Sequence, residues 1–194
     1  MILYHYSVDS YSGAPKLAND YKNQYRFAAP FLLALEKNED CFWSTYFACM
    51  YYSRELCALG LRKHENYVKD AVEGIFEFIR IHEFSHRSVS RIGCVYYCQS
   101  EAEAVSYLKD DCIDNGDFTV EQVKLLEVEV EDDSVFCYDQ SYFNEAITAM
   151  EQRQDLQEAF TLARQYFSLE RSAEPLIEIL SDGENRIVRT CPIR

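Results

Sequence analysis

Two sets of residues in this 194-residue sequence have types and spacings that could do chemistry. The more conspicuous is His82-Glu83-Phe84-Ser85-His86, an H-E-x-x-H run. Two histidines four apart share one face of a helix and can hold a zinc ion, while the glutamate between them activates a bound water. Arg80 and Arg87 flank the run closely, and Ser88-Val89-Ser90 ends the helical pattern just beyond it. The alternative reading has His82 continue the apolar face of Ile75 and Phe78, with His86 in a loop. The second set is spread over three short apolar segments: His5 and Ser7 near the start, Tyr96 and Tyr97 in the middle, Glu174 and Glu178 near the end.

The second set lies in stretches that look like a known superfamily. Tyr4-His5-Tyr6-Ser7 resembles the Y-H-x-[ST] opening of many ADP-ribosyltransferases. Ser90-Arg91-Ile92-Gly93-Cys94-Val95-Tyr96-Tyr97, followed by Ser100 and a helix starting EAEA, is similar to their second motif. There a tyrosine ends a strand that runs into a helix with small residues, a rhythm shown by the rifampicin-modifying members. Glu174-Pro175-Leu176-Ile177-Glu178-Ile179-Leu180-Ser181-Asp182-Gly183 resembles the third motif, which DarT-like DNA-modifying toxins show as a glutamate followed by hydrophobics and a turn. The resemblance implies a glycosyltransferase-class enzyme that takes ADP-ribose from NAD⁺ as substrate, with Glu178, Tyr96 and His5 catalytic. His5, Tyr6, Ser7, Ser90, Arg91, Tyr96 and Tyr97 would line the dinucleotide, and no metal is expected. It also implies a macromolecular acceptor, nucleic acid or protein. By analogy with small bacterial and phage members, it implies a toxin or defence effector of the toxin–antitoxin kind, held by an inhibitory protein partner.

The chemistry suits these residue types. Cleaving the nicotinamide–ribose bond passes through an oxocarbenium-like state, so a carboxylate beside the ribose stabilises developing positive charge. Glu178 is the candidate; Glu174 would share its face of a strand and stands in reserve, although its place before Pro175 suggests the strand entrance. Tyr96 would stack on the cationic nicotinamide ring, and a one-residue register slip would put Tyr97 there instead. His5 would bond the adenosine ribose with Ser7 close by, and Arg91 could make two parallel bonds to diphosphate oxygens.

The elements that must position them read as α+β: a small, split, mixed β-sheet in one domain, residues 1–194, with a large helical insertion at about 20–86 after the first strand. Residues 2–7 (ILYHYS) form a strand bounded by a turn at 9–13. Residues 41–52 (CFWSTYFACMYY) are apolar on every side and should form a buried helix, which Gly60 ends. Val68, Val72, Ile75, Phe76 and Ile79 recur at helical spacing. Residues 92–98 read as a strand, and Ser100-x-x-Glu103 as a capping box opening a helix. The half-buried strand at 123–131 should pair with 134–138. Two apolar stripes over 141–168 mark helix, and 175–180 should form a hairpin with 185–190 across Asp182-Gly183.

Composition narrows the class further. A net charge of −14 argues against broad nucleic-acid binding and tilts the acceptor slightly towards protein or very local nucleic-acid contact. The six glycines include no G-x-G, so neither a Rossmann nor a P-loop phosphate cradle is present. The start of the sequence has no export signal. Most of the eight cysteines sit in apolar periodic segments, which reads as a reduced, cytoplasmic protein. No apolar run is long enough to span a membrane.

Overall fold

The computed structural model describes residues 1–8, 16–17, 22–86, 88–114, 116 and 118–193; the expected turn at 9–13 and Arg87 lie outside them. The chain is α+β. It divides into two compact units: Met1–Asp20 with Cys94–Cys137 and Glu178–Arg194, and Tyr21–Gly93 with Tyr138–Ile177. The helical region is therefore larger than the expected insertion, because the chain returns to it after residue 137.

The first unit is built on strand alternation. β1 (Ile2–Val8) pairs antiparallel with β3 (Val123–Val130), with Leu3 opposite Val128 and His5 opposite Leu126. Cross-strand partners share a face, so His5 lies on the side of Leu3, Leu126 and Val128, which pack with Val95, Tyr97 and Ile179. Tyr4 and Tyr6 face the other way. Tyr4 packs with Cys98, Ala104, Leu125 and Cys191, and Tyr6 with Leu108, Cys112 and Val123. Ala104 and Leu108 belong to α4 (Glu101–Leu108), where Ser100 Oγ accepts from the Glu103 N–H at 3.2 Å. Glu103 reaches back to the Gln99 N–H at 2.9 Å, one residue earlier than a capping box predicts. β6 (Asn185–Cys191) pairs with β3 on its other side, so one sheet has the order β1-β3-β6. The second has the order β2-β5-β4, from β2 (Val95–Tyr97), β5 (Ile177–Ser181) and β4 (Val135–Asp139).

This topology corrects three expectations. β3 pairs with β1 and β6 rather than with β4. β5 pairs with β2 rather than forming a hairpin with β6. The β1–β3, β3–β6 and β2–β5 ladders are all antiparallel, not mixed. The Asp182-Gly183 turn does form, with the Gly183 N–H donating to Ser181 Oγ at 3.1 Å. Burial explains why the turn closes no hairpin. Glu178, Ile179, Leu180 and Ser181 are all buried, which suits a strand with a neighbour on each side, whereas β6 buries only Cys191 and takes an edge.

The second unit contains α1 (Lys22–Lys37), α2 (Glu39–Ala58), α3 (Tyr67–Ile79), α5 (Gln140–Thr148) and α6 (Leu156–Phe167). The periodic apolar residues expected at 68–79 are the face of α3 that buries Ala71, Val72, Ile75 and Phe76 completely. Gly74 lets α1 close on α3, since a Cβ there would stand 2.9 Å from Phe31 Cβ. Gly60 ends α2 at φ +70°, in agreement with the sequence reading. α2 itself is a correction: Phe42 and Tyr46 are buried, but Phe47, Tyr51 and Tyr52 are exposed at 43 %, 64 % and 62 %.

Buried charge sits inside this apolar unit. Glu73 and Glu77, one turn apart on α3, are 4 % and 3 % exposed. Arg91 bonds Glu73 through Nε at 3.1 Å and the Tyr166 hydroxyl through Nη1 at 3.0 Å, and its guanidinium lies 3.8 Å from the centre of the Phe143 ring. Glu77 takes two bonds from Arg80, at 2.9 and 2.7 Å, and one from Ser90 Oγ at 2.9 Å. A buried ion pair is costly to break because the surviving partner stays desolvated. Arg91→Ala should therefore cost about 3–5 kcal/mol in urea denaturation, and Glu73→Met with Arg91→Leu should recover most of it. An Arg91→Ala midpoint equal to wild type would show that the pair contributes nothing.

Candidate active site

β2 and β5 set two of the three candidate residues. Their register pairs Val95 with Ser181, Tyr96 with Leu180 and Tyr97 with Ile179. Val95, Tyr97 and Ile179 enter the core, so Tyr96 and Leu180 occupy the opposite face. Glu178, two residues before Leu180, shares that face by alternation. Tyr96 is half-buried and Glu178 is 7 % exposed. A tyrosine ring and a shielded carboxylate thus stand on one side of adjacent strands.

β1 brings the third. Tyr4 and Cys98 form an isolated antiparallel bridge, with the Tyr4 N–H donating to the Cys98 carbonyl at 3.0 Å and the Cys98 N–H to the Tyr4 carbonyl at 2.7 Å. Carried two residues further, the ladder would bring Tyr6 opposite Tyr96. There the His5 imidazole reaches the Tyr96 carbonyl, with Nδ1 2.7 Å from the oxygen. A carbonyl only accepts, so Nδ1 carries the proton. Burial pushes the imidazole below its ordinary 6.5, and the bond to Tyr96 raises it by less. The ring is accordingly neutral, with Nε2 left as an acceptor. It sits edge-on to Tyr97 with the centroids 6.0 Å apart. His5 therefore bonds the Tyr96 backbone while its ring lies on the core side with Tyr97, and Tyr96 and Glu178 present their side chains to the other face.

The remaining candidates sort by geometry. Tyr97 is 5 % exposed in the core, where burial holds its phenol well above the usual range, so of the two tyrosines it is Tyr96 whose ring leaves the core. Glu174 is exposed and precedes β5, which begins at Ile177, so of its two expected placements it takes the strand entrance and does not share the strand face of Glu178. Its segment is held by Asp139, a buried carboxylate that accepts from the N–H groups of Ser141, Ser172 and Leu176 at 3.1, 2.7 and 3.0 Å. Ser90 and Arg91 are corrected too. Both are committed to the glutamates of α3, and Arg91 is 4 % exposed, so its guanidinium is not presented to a diphosphate. Tyr6 is half-buried under α4, and Ser7, also half-buried, shares the His5 face of β1. The sequence reading missed Leu180, which stands opposite Tyr96, and Cys98, which anchors β1. Neither carries a local signal, because each is defined by strand register alone.

The H-E-x-x-H run does not assemble a catalytic helix. His82 and Glu83 lie in a π-helical turn, Arg80–Phe84, and His86 comes after it in a turn. His82 Nδ1 donates to the Phe78 carbonyl at 2.8 Å, with its ring over Phe78 at 4.2 Å. Glu83 is gripped by Arg164 through Nε at 2.9 Å and Nη2 at 2.8 Å, which holds its carboxyl below the usual carboxylate range.

His5 gives this site a pH signature. Its folded pKa lies below 6.5, so on acidification the unfolded chain takes up the proton first. The stability it contributes is complete above pH 6.5 and is lost as pH falls towards the folded value, at up to about 1.4 kcal/mol per pH unit. His5→Asn keeps a donor near the Nδ1 position and does not titrate. Urea midpoints of that variant should fall less than those of wild type between pH 6.5 and about 5.5; parallel slopes would show that His5 does not titrate on unfolding.

Comparison with known proteins places the chain without assigning it chemistry. No match is found among curated proteins. Among the described residues, no helix is long and apolar enough to cross a membrane. A family model described as a protein of unknown function, DUF2441, matches residues 18–192, from before the first helix to the last strand, and the chain belongs to that family.

Proposed function

We propose that the chain is an NAD⁺-dependent ADP-ribosyltransferase acting on a macromolecular acceptor. The observation that carries this reading is the β2–β5 register, which sets Tyr96 and buried Glu178 on one face while His5 of β1 bonds the backbone of that same tyrosine. Their order along the chain, histidine then tyrosine then glutamate on three strands, is that of the superfamily the motifs resemble. The arrangement of two sheets, with β1 bridged to Cys98 just after β2, supports it as well.

The chemistry divides among the three residues. The Tyr96 ring offers a π-face to the cationic nicotinamide. As the C1′–N bond breaks, its electron pair leaves with nicotinamide and positive charge grows on the ribose. The Glu178 carboxylate stabilises that charge, more strongly for being shielded from water. An acceptor nucleophile then attacks C1′ and loses its proton. His5 acts chiefly as a positioning residue, because its bond sets the Tyr96 backbone. The net charge of −14 favours a protein acceptor over extended nucleic acid. A toxin or defence role, restrained by an inhibitory protein in the cytoplasm, extends this reading by analogy.

Labelled NAD⁺ incubated with the chain and a cell extract tests it. Wild type should transfer label, and Glu178→Gln should transfer at least about 100-fold less. Tyr96→Ala should raise KM for NAD⁺ about tenfold while Tyr96→Phe stays near wild type, as loss of stacking requires. Equal transfer by Glu178→Gln would remove that residue from the mechanism, and no transfer by wild type would sink the proposal.

A further inference from the structure

Residues 41–53 of α2 contain no charged side chain, in a sequence where charged residues make up 27 %. On a helix this run is about 20 Å long. Its outward side is a continuous stripe at three- and four-residue spacing, Ser44, Phe47, Ala48, Tyr51 and Tyr52, which ends on the charged pair of neighbours Arg54 and Glu55, all exposed. Exposed aromatics gathered on one face mark an association surface, since Tyr and Phe are enriched where proteins meet. We infer that this face joins two copies of the chain through antiparallel packing of α2 against its counterpart.

Three features favour a second copy. A chain of charge −14 repels another copy of itself, so self-association needs a face without charge, and this stripe provides one over residues 44–52. A partner of opposite charge would instead be drawn to the acidic surfaces elsewhere. The stripe is also complementary to itself when reversed. With Ser44 of one copy beside Glu55 of the other, Phe47 meets Tyr52 and Ala48 meets Tyr51, so large rings lie over small residues and rings face rings. Finally, a parallel pairing would set the two Glu55 carboxylates together, whereas the antiparallel one carries them to opposite ends and opposes the helix dipoles favourably.

Sedimentation equilibrium on the full chain tests this without any assumption about its activity. Wild type should be dimeric at about 50 µM, and its association constant should rise about tenfold from low to high salt as the net charge is screened. Phe47→Lys and Tyr52→Glu should each be monomeric with an unchanged far-ultraviolet circular dichroism spectrum, since both positions are exposed. An equimolar mixture of the two should dimerise, because each introduced charge then faces its opposite across the pair. A wild type that is monomeric at both salts, single variants that remain dimeric, or a mixture that stays monomeric would each overturn the proposal.

Discussion

β1 is bonded along its length to β3, whereas towards β2 it makes an isolated backbone bridge, Tyr4 with Cys98 just after that strand. The candidate site depends on that unequal sharing. A ladder continued past Cys98 would pair Tyr6 with Tyr96 and join the two sheets into one. The His5 imidazole instead takes the Tyr96 carbonyl. A buried carbonyl needs a donor, and a side chain on the neighbouring strand can supply one without drawing the backbones together. The cost falls on His5, which must stay neutral in a setting that disfavours its charged form.

A second constraint governs the helical unit. α3 is surrounded by apolar neighbours and still carries two glutamates, so each must bring its own cation. Arg91 and Arg80 do so, and Ser90 completes the shell. The Ser90–Arg91 segment is therefore nailed to α3 by charge. Such pairs add little net stability over well-packed hydrophobics but are unforgiving of partial loss. This explains why a Ser-Arg lead-in to a strand can look like a phosphate site in the sequence: an arginine before a strand reads the same whether its carboxylate is buried in a helix or its anion comes from a ligand.

Local signals were readable where a short stretch decides its own conformation. The β1 alternation, the apolar period of α3, the Ser100 cap and the Gly60 helix end depend on neighbours within a turn or two. The Asp182-Gly183 turn is also local and real, yet the hairpin inferred from it is absent, because strand partners are chosen by burial over the whole sheet. α2 failed differently. Its apolar run signals burial on every side, but a helix can cover only one face against α1 and α3, and the rest remains outside.

By itself the sequence determined the α+β class, the main helices and strands, and three segments carrying a histidine, a tyrosine pair and a glutamate. These come from periodicity, capping and side-chain chemistry, all of which act over a few residues. Tertiary structure alone decided that Tyr96 rather than Tyr97 leaves the core, and that Glu178 is shielded on a strand while Glu174 is exposed before it. It also decided that Arg91 and Glu83 already have partners far along the chain. Each of these turns on register or on a contact between residues distant in sequence. A one-residue shift in pairing reverses every side chain on a strand, and only the packed sheets hold that shift fixed.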